Sequence, residues 1–181
     1  MNFIEIYDDA LSSEKCDELI DYFNNNPKMK GVVGGNMVVP SKKKSTELKN
    51  SVFSLHQLPF QLISSTLQEY TDKYVKKYSL LKHMEKWGVD DGFTLKKFEG
   101  EDEGFKSWHT EHCMTFPKRL LVWMFYLNDA QSGTEFHYYP NIESKQGRLV
   151  IWPAGWTHYH KGVTPNKGIK YIMSGWYSFQ Q

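Results

Sequence analysis

In the first 92 residues, apolar positions recur mainly at helical spacing. The first apolar run contains Cys16, Leu19, Ile20 and Phe23. It follows Ser12 and Ser13, and either serine is a suitable N-cap for a helix. A second run at the same spacing covers residues 58 to 78. These patterns predict two helices, and residues 4 to 7 predict a short strand before the first of them.

From residue 93 onward the pattern changes to short strands. Residues 120 to 127 are nearly all apolar, which is typical of a strand that is buried on both faces. Further strands are predicted at 93–98, 134–139, 147–152 and 170–179. Two helices followed by many short strands indicate an α+β, mainly β fold in which helices pack on a β-sandwich or jelly roll.

Residues 28 to 47 fit neither pattern. This segment contains Gly31, Gly34, Gly35, Pro40 and the run Lys42-Lys43-Lys44. Glycine and proline interrupt regular structure, so an excursion from the fold is expected here. Two interpretations remain open, a lid that orders over a substrate and a solvated connecting loop.

The length of 181 residues fits one domain, with helical support and the lid region in 1–92 and a jelly-roll core in 93–181. The net charge of +1 argues against nucleic acid as a partner, and the sequence lacks an apolar run long enough to cross a membrane. Only two cysteines, Cys16 and Cys113, are present, and the start does not resemble a secretory signal. A cytoplasmic protein is expected.

A candidate metal site begins at His109 and Glu111. Side chains two residues apart on a strand point to the same face, so the imidazole and the carboxylate can close on one ion. His160 lies 51 residues downstream and offers a third ligand. Two histidines and one carboxylate form the facial triad of non-haem Fe(II) oxygenases. His158 and His112 are competing candidates.

A zinc hydrolase is the minor alternative for this site. Zinc can be held by two histidines and one glutamate. Helical zinc motifs, however, space their histidines four residues apart, and the sequence His109-Thr110-Glu111-His112 does not.

Lys170 opens the last predicted strand and shares one face with Ile172, Ser174 and Trp176. A lysine that points into a barrel is costly unless it meets an anion, which a dicarboxylate would supply. The opposite orientation would place Tyr171 and Met173 inward, and the composition of the strand does not decide between the two.

The stretch from Leu95 to Phe179 resembles the catalytic core of the Fe(II)/2-oxoglutarate-dependent dioxygenases, specifically the prolyl 4-hydroxylase-like branch. The matching pieces are His109-Thr110-Glu111, Tyr126-Leu127-Asn128-Asp129, Gly133-Thr134-Glu135-Phe136, Gly147-Arg148-Leu149-Val150, His160-Lys161-Gly162-Val163 and Gly168-Ile169-Lys170-Tyr171 with Trp176. Their order and spacing together are specific, although no single piece is.

The resemblance implies a double-stranded β-helix supported by two or more helices from the N-terminal half. It implies Fe(II) bound by His109, Glu111 and His160. Lys170 would bind the distal carboxylate of 2-oxoglutarate, Tyr126 would hydrogen-bond this cosubstrate, and Trp176 would line the pocket.

The implied reaction consumes O₂ and 2-oxoglutarate, releases succinate and CO₂, and hydroxylates a C–H bond, with a prolyl residue as one candidate. Ascorbate is a further candidate cofactor. The substrate class stays open among a protein, a peptide and a small molecule.

Two residues depart from the branch. Glu111 stands where most members have aspartate, and it remains a competent oxygen ligand. Phe98 falls near the place where many members have a cosubstrate-binding tyrosine. Two rival functions are a non-catalytic metal- or ligand-binding jelly roll and a nucleic-acid demethylase. The second is weakened by the near-neutral charge and by Lys170, where that branch usually has arginine.

Overall fold

The computed structural model describes residues 1–33, 37–52 and 58–180. In chain order the elements are β1 (Glu5–Tyr7), α1 (Ser13–Asn25), β2 (Met29–Lys30), β3 (Lys43–Lys44), β4 (Thr46–Ser51), α2 (Leu58–Lys77), β5 (Trp87–Val89), β6 (Gly92–Glu99), β7 (Gly104–Phe105), β8 (Arg119–Tyr126), β9 (Ala130–Phe136), β10 (Ile142–Ser144), β11 (Leu149–Pro153), β12 (His160–Val163) and β13 (Ile169–Phe179).

The strands form two principal antiparallel sheets. The large sheet has the order β1-β11-β8-β13-β6-β4-β2, and β5 pairs with the end of β13. The small sheet has the order β10-β9-β12, and β3 pairs separately with β7. Together the sheets make the double-stranded β-helix that the sequence predicted, with both helices in the N-terminal half.

Strand β8 is buried on both faces, as predicted, and it separates two apolar cores. The residues of β8 in the first core are Leu121, Trp123 and Phe125, and those in the second are Val122, Met124 and Tyr126. The first core also contains the buried faces of α1 and α2, whereas the second contains Phe136 and Ile142 from the small sheet. The alternation follows from the two-residue period of a strand. The helices therefore cover the outer face of the large sheet, and the space between the sheets is left for a pocket.

Both helices form where the sequence predicted them. Ser12 is the N-cap of α1, and its Oγ accepts a hydrogen bond from the backbone N–H of Lys15 at 3.4 Å. The buried residues of α1 are Cys16, Leu19 and Phe23, and those of α2 are Pro59, Ile63, Leu67, Thr71 and Tyr74. In the described part of the chain, no helix is long and apolar enough to cross a membrane.

The prediction of an excursion over residues 28 to 47 is wrong at both ends of that segment. Met29 pairs with Glu47 through β2 and β4, and β4 continues along β6 for six residues. Strand β4 has the polar sequence Thr-Glu-Leu-Lys-Asn-Ser, so apolar periodicity could not reveal it. Gly34 and Gly35, on which the prediction also rested, lie outside the described residues.

Candidate metal centre

His109 and His160 are brought together by backbone pairing. The N–H of His109 donates to the carbonyl of His160 at 2.9 Å, and the N–H of His160 donates back at 3.0 Å. This pair is an isolated antiparallel bridge, so His109 and Glu111 do not belong to a regular strand as the sequence suggested. The bridge nevertheless places His160, at the start of β12, beside the segment that carries Glu111.

The side chains of His109, Glu111 and His160 converge on one point. Oε1 of Glu111 lies 3.5 Å from Nε2 of His109 and 3.8 Å from Nε2 of His160. One potential ligand atom from each residue lies within 4.8 Å of the other two. Ligand atoms that each lie about 2.0–2.2 Å from one ion are separated from each other by distances only slightly shorter than those between these three atoms. The three groups can therefore close on one metal with little adjustment.

The hydrogen bonds of the two imidazoles suit metal binding. Nδ1 of His109 lies 3.0 Å from the Ser107 carbonyl, and Nδ1 of His160 lies 2.8 Å from the His158 carbonyl. A carbonyl only accepts, so each Nδ1 carries the proton and each Nε2 keeps a free lone pair. Burial lowers the pKa of His109, which further favours its neutral form. Two lone pairs and a carboxylate then face one another, an arrangement that a divalent cation stabilises.

The second oxygen of Glu111 is held by residues of the large sheet. Oε2 accepts hydrogen bonds from Nη1 of Arg119 and from Nε1 of Trp176, both at 3.0 Å. Burial by itself raises the pKa of Glu111, but hydrogen bonds and charge from His109 and His160 in their protonated forms hold this pKa well below its ordinary value in the absence of a metal. The sequence did not single out Arg119, because an arginine at the start of a strand is a common surface residue. Trp176, predicted to line the pocket, lines the outer cleft that adjoins it.

Lys170 faces inward, which resolves the alternative left open by the sequence. Its side chain is 2% exposed, and Nζ donates to the carbonyls of Gly133 at 3.1 Å and Val163 at 2.7 Å. The ammonium also lies 4.9 Å from the ring centre of Phe98. Burial lowers the pKa of Lys170 to about 7. Within the described residues this cation forms no ion pair, so it is available to an anion in the pocket.

Tyr126 contributes a hydroxyl to the same pocket. Its Oη lies 2.7 Å from Oγ1 of Thr134, and either group can be the donor. Burial raises the pKa of Tyr126, so the phenol stays protonated. Tyr126 and Thr134 lie in the pocket wall together with Lys170 and the three potential metal ligands.

The two competing histidines, His158 and His112, lie away from the point where the three potential metal ligands converge. Nε2 of His158 lies 2.8 Å from the Asn2 carbonyl, and Nδ1 lies 2.9 Å from Oγ1 of Thr157. Both ring nitrogens of His158 are therefore engaged, Nε2 by the N-terminal region and Nδ1 by the neighbouring Thr157. His112 is exposed, and its backbone N–H donates to the Ala154 carbonyl at 3.0 Å.

The pocket opens into an outer cleft of about 910 Å³. His109 and Glu111 line both spaces, so the candidate metal site lies where they meet. The predicted lid segment contributes Val32, Val33, Met37, Lys42 and Lys43 to the cleft wall. A cleft of this size accommodates a drug-sized molecule or a few residues of a peptide.

The three lysines of the predicted lid do not behave as a solvated run. Nζ of Lys43 is 2.5 Å from Oε1 of Glu47, and the two side chains are only 6% and 2% exposed. Lys44 instead pairs with Asp102 at 2.7 Å near the surface. The charge of Lys43 is therefore used inside the protein, which neither interpretation of this segment predicted.

Comparison with known proteins agrees with this geometry. Residues 93–178 match the family model described as the 2OG-Fe(II) oxygenase superfamily. No curated protein matches the sequence.

Several solved structures share the fold. A viral collagen prolyl hydroxylase from Paramecium Bursaria Chlorella virus-1, solved as a 2OG complex, is 19% identical with a TM-score of 0.69, covering 97% of this chain and 96% of its own. A Pseudomonas putida prolyl-4-hydroxylase is 12% identical with a TM-score of 0.74, covering 98% and 94%. A Trichoplax adhaerens prolyl hydroxylase, solved with a hypoxia inducible factor peptide, is 14% identical with a TM-score of 0.74, covering 99% and 84%.

At these identities the structures establish the fold, and the family match covers the segment that contains all three potential ligands. The match of residues 93–178 to the 2OG-Fe(II) oxygenase superfamily and the three converging ligands identify a 2-oxoglutarate-dependent dioxygenase whose cofactors are Fe(II), 2-oxoglutarate and O₂.

Proposed function

We propose that this oxygenase hydroxylates a C–H bond of a substrate held in the outer cleft, with Fe(II) bound by His109, Glu111 and His160. One oxygen atom of O₂ enters the substrate as a hydroxyl group, and the other enters succinate as 2-oxoglutarate loses CO₂. One observation carries the proposal. Three potential ligands converge at the junction of the cleft and a pocket, and the pocket wall contains the Lys170 cation, which forms no ion pair in the part of the chain that the structure describes.

Each side chain has a distinct part in this reaction. The Nε2 atoms of His109 and His160 and Oε1 of Glu111 bind the metal, which supplies open positions for 2-oxoglutarate and O₂. Lys170 binds the distal carboxylate of 2-oxoglutarate, since this buried ammonium is hydrogen-bonded only to carbonyl groups among the described residues. The hydroxyl of Tyr126 donates a hydrogen bond to the cosubstrate, or it orients the hydroxyl of Thr134 so that Thr134 donates that bond.

Trp176 acts on Glu111 as well as lining the cleft. Its indole N–H bonds Oε2, and this leaves Oε1 directed at the two imidazoles. The carboxylate would thus hold the metal through Oε1, the oxygen that faces both imidazoles. Groups that orient metal ligands in this way typically change affinity or activity by about 10–100-fold when they are removed.

A prolyl residue is the first substrate to test. The support is that three structures with this fold are prolyl hydroxylases. The fold is not restricted to that chemistry, since an alpha ketoglutarate dependent epimerase from nogalamycin biosynthesis has a TM-score of 0.60 at 9% identity, with 98% of this chain and 78% of that chain covered. A protein, a peptide and a small molecule are all compatible with the outer cleft.

Anaerobic spectroscopy tests the proposal most directly. The protein loaded with Fe(II) should develop a visible absorption band when 2-oxoglutarate is added, and His160→Ala should not. Admitting O₂ should then yield succinate, and mass spectrometry should find a product 16 Da heavier among prolyl peptides and free amino acids. Absence of both the band and succinate would favour the non-catalytic binding protein instead.

A further inference from the structure

Lys96 is a second cation near the metal centre, and the proposed function does not use it. Lys96 lies on β6 directly opposite Ile172 of β13. Its Nζ donates to Oγ of Ser174 at 2.8 Å. Its side chain lines both the inner pocket and the outer cleft, as His109 and Glu111 do. Lys96 therefore stands at the same junction as the potential metal ligands.

This lysine has a neutral hydrogen-bond partner and forms no ion pair within the described part of the chain. Burial lowers its pKa to about 8, and Lys43 adds to this effect, while Glu47 and Glu111 oppose it. The side chain is thus mostly charged at neutral pH. Lys96 is half-buried, and an ammonium partly removed from water without a counter-ion is unfavourable, so an anionic ligand would remove that cost.

The carboxylates that influence Lys96 are already engaged by other cations. Glu47 pairs with Lys43 at 2.5 Å and accepts a hydrogen bond from Ser45 at 2.9 Å. Glu111 is held by Arg119 at 3.0 Å on one oxygen and faces the imidazoles with the other. Among the described residues, neither carboxylate lies within ion-pair distance of the Lys96 ammonium.

The outer cleft as a whole has an excess of positive charge. The cations in its wall are Lys42, Lys43, Lys49, Lys96 and Arg119. The carboxylates in its wall are Glu47 and Glu111, so five positive charges stand against two negative ones, an excess of three among the described residues. A divalent metal and dianionic 2-oxoglutarate cancel each other and do not change that excess. The whole chain has a net charge of only +1.

We propose that the substrate carries a carboxylate and that Lys96 binds it beside the metal centre. This inference rests on the proposed function and specifies its substrate class. The distal carboxylate of 2-oxoglutarate has Lys170, so Lys96 is left for the other reactant. The carboxylate can belong to a free amino acid or other organic acid, or to an acidic residue of a peptide. Charge-assisted contacts of this kind are strong and directional enough to select a substrate.

The test compares paired probes that differ only in the carboxylate. L-Proline and L-prolinamide represent the free acid, and acetyl-Pro-Glu-amide and acetyl-Pro-Gln-amide represent the peptide. Calorimetry on the anaerobic protein loaded with Mn(II) and 2-oxoglutarate measures probe affinity without turnover. The variant is Lys96→Met. The matched control is Lys97→Met, because Lys97 is the next residue on β6 and pairs with the exposed Glu99 at 2.6 Å.

We expect the wild-type protein to bind the acid of at least one pair about tenfold or more tightly than its amide, in line with the strength of a charged hydrogen bond. Lys96→Met should abolish that preference, and Lys97→Met should retain it. The pair that shows the preference identifies the source of the carboxylate. Unfolding curves for both variants, recorded by circular dichroism, establish that the comparison is made on folded protein.

Three results would overturn the inference. The first is a wild-type protein that lacks any preference for an acid over its amide. The second is a preference that survives in Lys96→Met. The third is a Lys96→Met variant whose affinity for 2-oxoglutarate falls as much as its affinity for the probe, which would place Lys96 in the cosubstrate site. The absorption band of the Fe(II)-loaded protein tests the proposed function independently of all three.

Discussion

Nη1 of Arg119 and Oε2 of Glu111 are joined by a 3.0 Å hydrogen bond between oppositely charged groups. The guanidinium of Arg119 is also stacked, with its carbon 3.5 Å from the ring centre of Trp176 and 3.7 Å from that of Phe116. Arg119 is therefore held between two aromatic rings, and the carboxylate that it contacts belongs to a potential metal ligand. Its Nε is buried without a partner in the described structure. This relationship links the large sheet to the orientation of the carboxylate.

Arg119→Met should weaken metal binding by about 10–100-fold, because Glu111 loses the charged contact that holds its orientation. Competition with a chelating dye measures the affinity for Fe(II) or Mn(II). Arg119→Lys should recover only part of the loss, since lysine keeps the charge but lacks the planar fork. Arg148→Met is the control, because Arg148 pairs with Asp8 instead. Equal affinities in Arg119→Met and wild type would show that Glu111 is oriented without Arg119.

His160→Ala should abolish metal binding and 2-oxoglutarate turnover, whereas His158→Ala should keep both. The reason is that His160 presents Nε2 to Glu111, while both ring nitrogens of His158 are engaged by Asn2 and Thr157. His158→Ala should instead lower the free energy of unfolding by roughly 1–3 kcal/mol, because it leaves buried groups unpaired. Chelator competition and thermal unfolding separate the two effects. The opposite pattern of metal loss would reassign the ligand.

Lys170→Met should raise the KM for 2-oxoglutarate by about tenfold or more while changing metal affinity little. The variant removes a charged contact to a carboxylate, and such contacts contribute roughly 1.5–3 kcal/mol. Initial rates of succinate formation at varied 2-oxoglutarate give the KM, and the dye assay gives the metal affinity. An unchanged KM would show that another cation, such as Lys96, binds the distal carboxylate.

The affinity for 2-oxoglutarate should fall as pH rises above about 7. Burial lowers the pKa of the Lys170 amine to about 7 in the protein without cosubstrate. A carboxylate favours the charged amine, so above this pKa binding must take up a proton and the Kd should rise by up to about tenfold per pH unit. Below the pKa the amine is already charged, and the Kd should level off. Calorimetry should find that the rise of the 2-oxoglutarate Kd above pH 7 is absent in Lys170→Met. A wild-type Kd that stays constant from pH 7 to 9 would contradict the prediction.

Lys43→Met should destabilise the protein by roughly 3–5 kcal/mol, because Glu47 would remain buried without its ion-pair partner. The double variant Lys43→Met with Glu47→Gln should recover much of that loss, since it removes both charges. Urea unfolding of the two variants measures the difference. Lys44→Met is the control, because Lys44 pairs with Asp102 near the surface and surface pairs contribute little. If Lys43→Met and Lys44→Met were equally stable, the buried pair would have no special role.

Periodic patterns were sufficient for the main elements of the fold. Helices α1 and α2, and the two-faced burial of β8, follow from spacings of three to four and of two residues. These spacings work because neighbouring residues alone decide which side of an element is apolar. Strand β4 was missed for the same reason, since its polar sequence is held in the sheet by pairing with β6 rather than by its own pattern.

The sequence alone determined that His109, Glu111 and His160 are chemically suited to one metal ion and that Lys170 starts a strand near them. Only the tertiary structure decided that Lys170 faces inward, that Trp176 donates a hydrogen bond to Glu111, and that Arg119 and Lys96 belong to the same site. Trp176 meets Glu111 across 65 residues of sequence, and Lys96 meets Ser174 across 78. Such contacts arise from the closure and register of the sheet, which depend on the packing of many elements together. Local spacing along the chain does not determine that packing, so these contacts are seen only in the folded structure.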